Sequence, residues 1–232
     1  MGSMTETGPS PRERILQAAL PMAAFEGWTD KMLRQSVKAA GLPDGAEALY
    51  FPEGALDLLA YWSEQLNRKT EQAMAALDIE NMKIRDRVTQ GVLARLEAIH
   101  PFEEAAHRAL SRLALPDTLL GGRLSGPGQL WAAADTIWRA IGDTSTDANY
   151  YSKRTILSGV IGTTLPVWLN DDDPDKLKGR EFLDARIANV MQFEKFKWQL
   201  KSKSKDWPSP ASVLGSLRYG GLPKFKRRRR RG

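Results

Sequence analysis

Two copies of the Glu-x-x-His pattern stand close together in this chain, Glu97-x-x-His100 and Glu104-x-x-His107. Three residues apart on a helix, a carboxylate and an imidazole share one face, which is the spacing that di-iron helical bundles use. Such centres draw their two motifs from different helices and add a Glu from each of two more. Here the motifs lie side by side around Pro101, and they consume both histidines of the chain. No metal is therefore expected, and Glu103 and Glu104 are read as charges favouring the N-terminus of the next helix. Ser145, Thr146 and Asp147 lack a neighbouring His that would activate a hydroxyl. There is no cysteine, no Gly-x-Ser-x-Gly elbow, no phosphate-binding Gly-rich loop and no dinucleotide fingerprint. The expectation is a protein that is not an enzyme and needs no cofactor.

The elements that would carry function are helical throughout. Ile15, Leu16, Ala19, Leu20, Ala23 and Phe25 recur at helical spacing after Pro11, and Gly27 ends that run. Thr29 or Asp30 caps a second short helix up to Ala40, a third segment spans about 44–50, and a longer helix follows Pro52 towards Leu77. Further helices are expected over roughly 79–99, 103–114, 128–141, 146–169 and 175–201, separated by Pro101, Pro116, the Gly121 to Gly128 stretch and Asn170 to Pro174. No segment alternates with a period of two. The fold class is all-α, with about nine or ten helices. The expected divisions are a disordered 1–10, an N-terminal three-helix region 11–54, a helical core 55–174, an amphipathic helix 175–201 and a basic flexible tail 202–232.

The formal charge of +6 is unevenly placed. From Lys195 onward thirteen Lys or Arg face one Asp, a balance of +12 that leaves −6 for residues 1–194. An acidic body with a basic end suits a terminal segment that seeks an anionic surface. No apolar run reaches the roughly 20 residues of a spanning helix, and the opening MGSMTETGPS carries no export pattern, so a peripheral attachment is expected. Between Phe182 and Leu200 the residues Leu183, Ile187, Val190, Met191, Trp198 and Leu200 share a helical face, widened by Phe182, Phe193 and Phe196, with lysines beginning at Lys195. Aromatic rings beside ammonium groups suit an interfacial helix, although a packed core helix gives a similar pattern. The run Arg227 to Arg231 reads equally as a solvated tail.

The segments ILQAALPMAAFEGW, KAAGL and ALYFP resemble the N-terminal helix-turn-helix region of TetR-type regulators. Taken with GDTSTDANYYSKRTILSGVIGTT, they resemble the coenzyme Q biosynthesis accessory family, over about Arg12 to Arg218. The resemblance implies a TetR-like helical bundle with a degenerate helix-turn-helix and a C-terminal amphipathic, membrane-binding helix. It also implies a partner protein that binds isoprenoid lipid and presents quinone intermediates to a membrane-associated di-iron hydroxylase. The hydroxylase-facing patch then falls on Asp147, Asn149, Tyr150 and Tyr151, with Tyr150 standing where other members carry Trp. From the residues alone, Ser145 is equally a helix cap and the tyrosines ordinary packing residues.

A DNA-reading regulator that senses an apolar ligand is the alternative that such a fold invites. Between Arg12 and Ala55, five cations meet six anions, and Leu42 to Phe51 contains Asp44 and Glu47 but no Lys or Arg. A recognition helix of that charge repels phosphate where counterion release should supply affinity, so no specific nucleic-acid partner is expected. The expected partners are an isoprenoid quinone or phospholipid, the hydroxylase, an anionic membrane surface and a second copy in a homodimer. The location that follows is cytoplasmic and peripheral to the inner membrane in a bacterium, or the mitochondrial matrix in a eukaryote. Leu59, Trp62, Leu66, Leu93, Leu96, Leu113, Trp131, Trp138, Leu157 and Ile161 are the residues expected to line an apolar cavity between facing helices.

Overall fold

The computed structural model describes residues 8–118, 122–146 and 148–203, with side chains described as far as 192 except for that of 148. These residues form nine α-helices and three single 3₁₀ turns, with no strand among them. The helices are α1 (Pro11–Glu26), α2 (Asp30–Ala39), α3 (Glu47–Tyr50), α4 (Ala55–Ala75), α5 (Ile84–Ile99), α6 (Glu103–Leu113), α7 (Gly126–Ala140), α8 (Ala148–Leu169) and α9 (Leu177–Lys203). The all-α expectation holds. α5 begins at Ile84 rather than near 79, because Ile79–Asn81 closes as a separate 3₁₀ turn. No described helix is long and apolar enough to cross a membrane.

Local chemistry sets the helix starts. Ser10 Oγ accepts from Glu13 N at 3.3 Å ahead of Pro11, Thr29 Oγ1 from Met32 N at 3.2 Å, and Ser125 Oγ from Gly128 N at 3.0 Å. α4 is capped from a distance, since Asp30 Oδ1 accepts from Ala55 N at 2.9 Å and ties the start of α2 to the start of α4.

The chain divides into two compact units, 1–188 and 189–232. Within the first, α1 packs on α2 and α6, α4 on α5 and α7, and α7 on α8. Trp28 is the anchor of the N-terminal helices. Its indole N–H donates to Ala105 O at 2.9 Å, and its ring stacks on Trp62 with centroids 5.3 Å apart. Arg12 lies over the rings of Phe51 and Tyr61, at 4.8 and 4.3 Å, and near the buried Asp57 carboxylate, which Arg123 pairs at 2.9 Å. The one-turn α3 presents Leu49, 75% exposed, to solvent, while Phe51 beside it is buried. At the other end of the unit, Asp171 Oδ2 accepts from Gly179 N at 3.0 Å, and Lys176 Nζ donates to Asp171 O at 2.7 Å and Glu103 Oε2 at 2.9 Å. These bonds fix the turn into α9, whose Leu183 and Ile187 are buried.

Helices α5 and α7 cross at a glycine. A methyl group on Gly91 would overlap Ile137 Cγ2, which is itself fully buried. Gly91→Ala is expected to destabilise the protein. Overpacking costs roughly 1–3 kcal/mol, which exceeds the roughly 0.5–1 kcal/mol that alanine returns in helix propensity. Thermal denaturation checks this, and adding Ile137→Ala to the Gly91→Ala protein should relieve the steric part of the loss, so that the two effects do not add.

Candidate functional site

Five helices of the first unit line a partly open cavity of about 280 Å³. α4 contributes Leu59, Trp62, Ser63 and Leu66, which its 3.6-residue period places on one face. α5 adds Arg95 and Ile99, α6 adds Ala106, Ala109, Leu110 and Leu113, α7 adds Gly126, Gln129 and Leu130, and α8 adds Gly162 and Leu165. The space exists because small residues face it. Ala106, Ala109, Gly126 and Gly162 all line it, and a methyl group on Gly162 would come within 3.0 Å of Leu130 on α7. The lining is largely apolar with a few polar groups, which is the composition of a small-molecule site.

Arg95 is the exception in that wall. Its guanidinium donates to Ser63 O at 3.0 Å, Ser63 Oγ at 2.9 Å and Asn67 Oδ1 at 2.5 Å, and burial lowers its pKa to about 10. It remains a cation at neutral pH.

Of the residues expected in the cavity, Leu59, Trp62, Leu66 and Leu113 are brought together there. Leu96, Leu157 and Ile161 are buried elsewhere in the core, and Leu93 is half-buried outside the cavity. Trp131 and Trp138 lie at the α7–α8 junction. Arg95, Gln129 and the small residues were not anticipated. Arg95 had a signal, since it falls on the same helical stripe as Val92, Leu96 and Ile99, all buried. The alanines and glycines had none, because a void is made by what is missing.

The α7–α8 junction forms a second constellation. Trp131, Tyr150 and Tyr151 cluster with ring centroids 5.1 to 6.4 Å apart, and Tyr151 is 63% exposed. Beneath them Arg154 is buried, its Cζ 3.5 Å from the Tyr150 ring centroid. Arg154 pairs with Asp135 at 2.6 Å and Asp143 at 3.2 Å, and Tyr150 Oη donates to Asp135 at 3.4 Å. Lys153 Nζ donates to Asp143 Oδ1 at 2.6 Å and Ser145 Oγ at 2.7 Å, and Trp138 Nε1 donates to Lys153 O at 3.2 Å. Burial opposes ionisation of Asp143, but hydrogen bonds from Lys153, Ser145 and Arg154 outweigh it and hold the carboxyl down at about 2. For Arg154, burial likewise opposes the charge, and the Asp135 and Asp143 carboxylates overcome it and raise the pKa. A charged lattice thus supports an exposed aromatic face. Asn149 is exposed on the same turn of α8, and Asp147 lies outside the described residues.

The remaining candidates are distributed as follows. Leu183 and Ile187 pack into the first unit, the core-helix alternative for this half of α9. Val190 is half-buried and Met191 exposed at the start of the second unit, while the side chains of Phe193, Phe196, Trp198 and Leu200 and the arginine run lie outside the described residues. Of the two Glu-x-x-His motifs, Glu97 pairs with Arg180 at 2.9 Å and His107 Nε2 meets Leu169 O at 3.0 Å. Among the described residues no three His, Asp or Glu converge as metal ligands.

The depressed Asp143 pKa has a consequence for stability. Because the folded value lies below the ordinary 3.8, the stabilisation is fully present above about pH 4 and is lost as the pH falls through about 2. Asp143→Asn should lower the melting temperature at pH 7 and reduce its fall between pH 5 and pH 2, as followed by thermal scans across that range.

The COQ9 family model matches residues 125–194, which run from the cap of α7 into α9 and contain the whole aromatic junction. The chain is 31% identical over 198 residues to the ubiquinone biosynthesis protein COQ9, mitochondrial, of Rattus norvegicus, covering 82% of this chain and 62% of that protein. It is 30% identical to the protein of that name from Homo sapiens, over 82% of this chain and 61% of the relative. Against that of Drosophila melanogaster the identity is 26%, over 79% of this chain and 56% of the relative. The chain therefore spans less than two thirds of the length of these relatives. With the α7–α9 segment matched and about 30% identity sustained over 82% of its residues, the chain belongs to the COQ9 family.

Proposed function

We propose that this chain is an accessory protein of ubiquinone biosynthesis that takes an isoprenoid lipid into the α4–α8 cavity and presents it to a membrane-associated di-iron hydroxylase. The observation that carries this reading is the cavity, about 280 Å³ between five helices with a mostly apolar wall. Transfer of an isoprenoid chain into it removes apolar surface from water at roughly 25 cal/mol per Å². The relatives' names place them in ubiquinone biosynthesis and in mitochondria, which supports the same pathway here. The protein supplies access and orientation, and the hydroxylase supplies the chemistry.

The aromatic junction is the docking face in this scheme. Tyr151 and Trp131 offer rigid ring surface, and the Asp135–Arg154–Asp143 lattice holds Tyr150 in place from below. The basic C-terminal region holds the protein on an anionic bilayer, at roughly 1 kcal/mol for each cation that reaches the surface. Such a protein works peripherally, at the inner membrane of a bacterium or on the matrix side in a mitochondrion.

Ala109→Phe projects a ring into the cavity from α6. It should strip the lipid that co-purifies with the protein, as measured by mass spectrometry of organic extracts, while helicity is kept; unchanged lipid content in a folded variant would remove the cavity from the scheme. Tyr150→Ala with Tyr151→Ala should weaken hydroxylase binding at least tenfold by titration and leave lipid content intact. Truncation after Leu200 should reduce flotation with anionic vesicles at low salt, and equal flotation of both forms would exclude the tail from membrane attachment.

A further inference from the structure

Two polar side chains line the cavity without the partners that their chemistry requires. Arg95 is 7% exposed, and its three hydrogen bonds all end on uncharged oxygens of Ser63 and Asn67. Among the described residues no carboxylate pairs with it. Gln129, 9% exposed on α7, lines the same cavity, and its buried Nε2 has no hydrogen-bond acceptor. Neutral oxygens satisfy N–H groups but leave a full positive charge in a poorly polarisable interior, and a guanidinium has five N–H donors in all. A purely structural Arg95, pinning α5 to α4, accounts for its three bonds. It leaves both the absent counter-charge and the idle Gln129 donor without a cause.

Both deficits are of the same kind, a missing acceptor, and on Arg95 the acceptor must be negative. The rest of the wall, with Leu59, Leu66, Leu113 and Leu130, asks for hydrocarbon. A volume of about 280 Å³ sits at the small end of ligand sites, which fits one slender tail and not two. We propose that Arg95 and Gln129 form a head-group subsite for an oxyanion, a carboxylate, phenolate or phosphate, carried on a single apolar tail. The proposal rests on the reading of the cavity as a lipid site and specifies which end chemistry that lipid carries. The planar fork of Arg95 suits the paired oxygens of a carboxylate or phosphate and can also meet the single oxygen of a phenolate, and the Gln129 amide supplies a further donor from α7.

The test is calorimetric titration of the full chain at pH 8 with decanoate, decan-1-ol and decyltrimethylammonium, each below its micellar concentration. Decanoate should bind at least roughly tenfold more tightly than decan-1-ol, and decyltrimethylammonium most weakly. Gln129→Leu should reduce that preference several-fold, Arg95→Met should abolish it, and Arg95→Lys should retain part of it. Equal affinity of the wild-type chain for decanoate and decan-1-ol overturns the subsite and leaves the lipid-binding reading standing. Failure of all three probes to bind overturns both. A preference that survives in Arg95→Met and in Gln129→Leu assigns it to the basic tail and overturns the subsite. If Arg95→Met does not fold, an undiminished preference in Gln129→Leu is sufficient to overturn it. Millimolar inorganic phosphate should not displace decanoate; efficient displacement would identify a free-anion site and overturn the tailed ligand.

Discussion

Trp28 and Trp62 meet ring to ring in the interior, and the two halves of the helical body are organised around that contact. Trp28 belongs to the loop between α1 and α2, and its N–H reaches the backbone of α6. Trp62 belongs to α4, where the same side chain also forms cavity wall. One stacked pair therefore decides where the N-terminal helices sit on the body and how one wall of the cavity is oriented. Large rings suit that task because they bury much surface with few rotatable bonds to immobilise.

Arg95 and Arg154 show two ways of burying the same cation. Arg154 is surrounded by Asp135 and Asp143, so its charge is matched within the fold and serves to stiffen the α7–α8 junction. Arg95 is held by dipoles alone, and its pKa falls where that of Arg154 rises. The contrast separates a cation whose counter-charges lie within the fold from one held by neutral oxygens alone.

Much of the architecture is legible in the sequence. Periodicity located the long helices, and on α4 it identified Leu59, Trp62 and Leu66 as one face, because a helix period maps directly onto a wall. It did not separate wall from core: Leu96, Leu157 and Ile161 have the same signature and pack solidly. Leu183 and Ile187 gave an amphipathic pattern that serves an interfacial helix and a packed helix alike, and in the fold they face inward. The Asp135, Asp143, Lys153 and Arg154 lattice was not seen, since its members are spread over two helices and a turn and converge only once α7 and α8 pair. The family resemblance located the tyrosines beside it without revealing what supports them.

The glycine crossing of α5 with α7 bears on how the cavity behaves over time. Gly91 lets the two backbones approach until Ile137 fills the gap, and Gly162 similarly admits Leu130 between α7 and α8. Interlocked crossings of this kind resist sliding, so the spacing of the helices is set by their own contacts and not by whatever occupies the space between them. If the cavity takes up a lipid as proposed, such a framework would divert little of the binding free energy into reshaping the host.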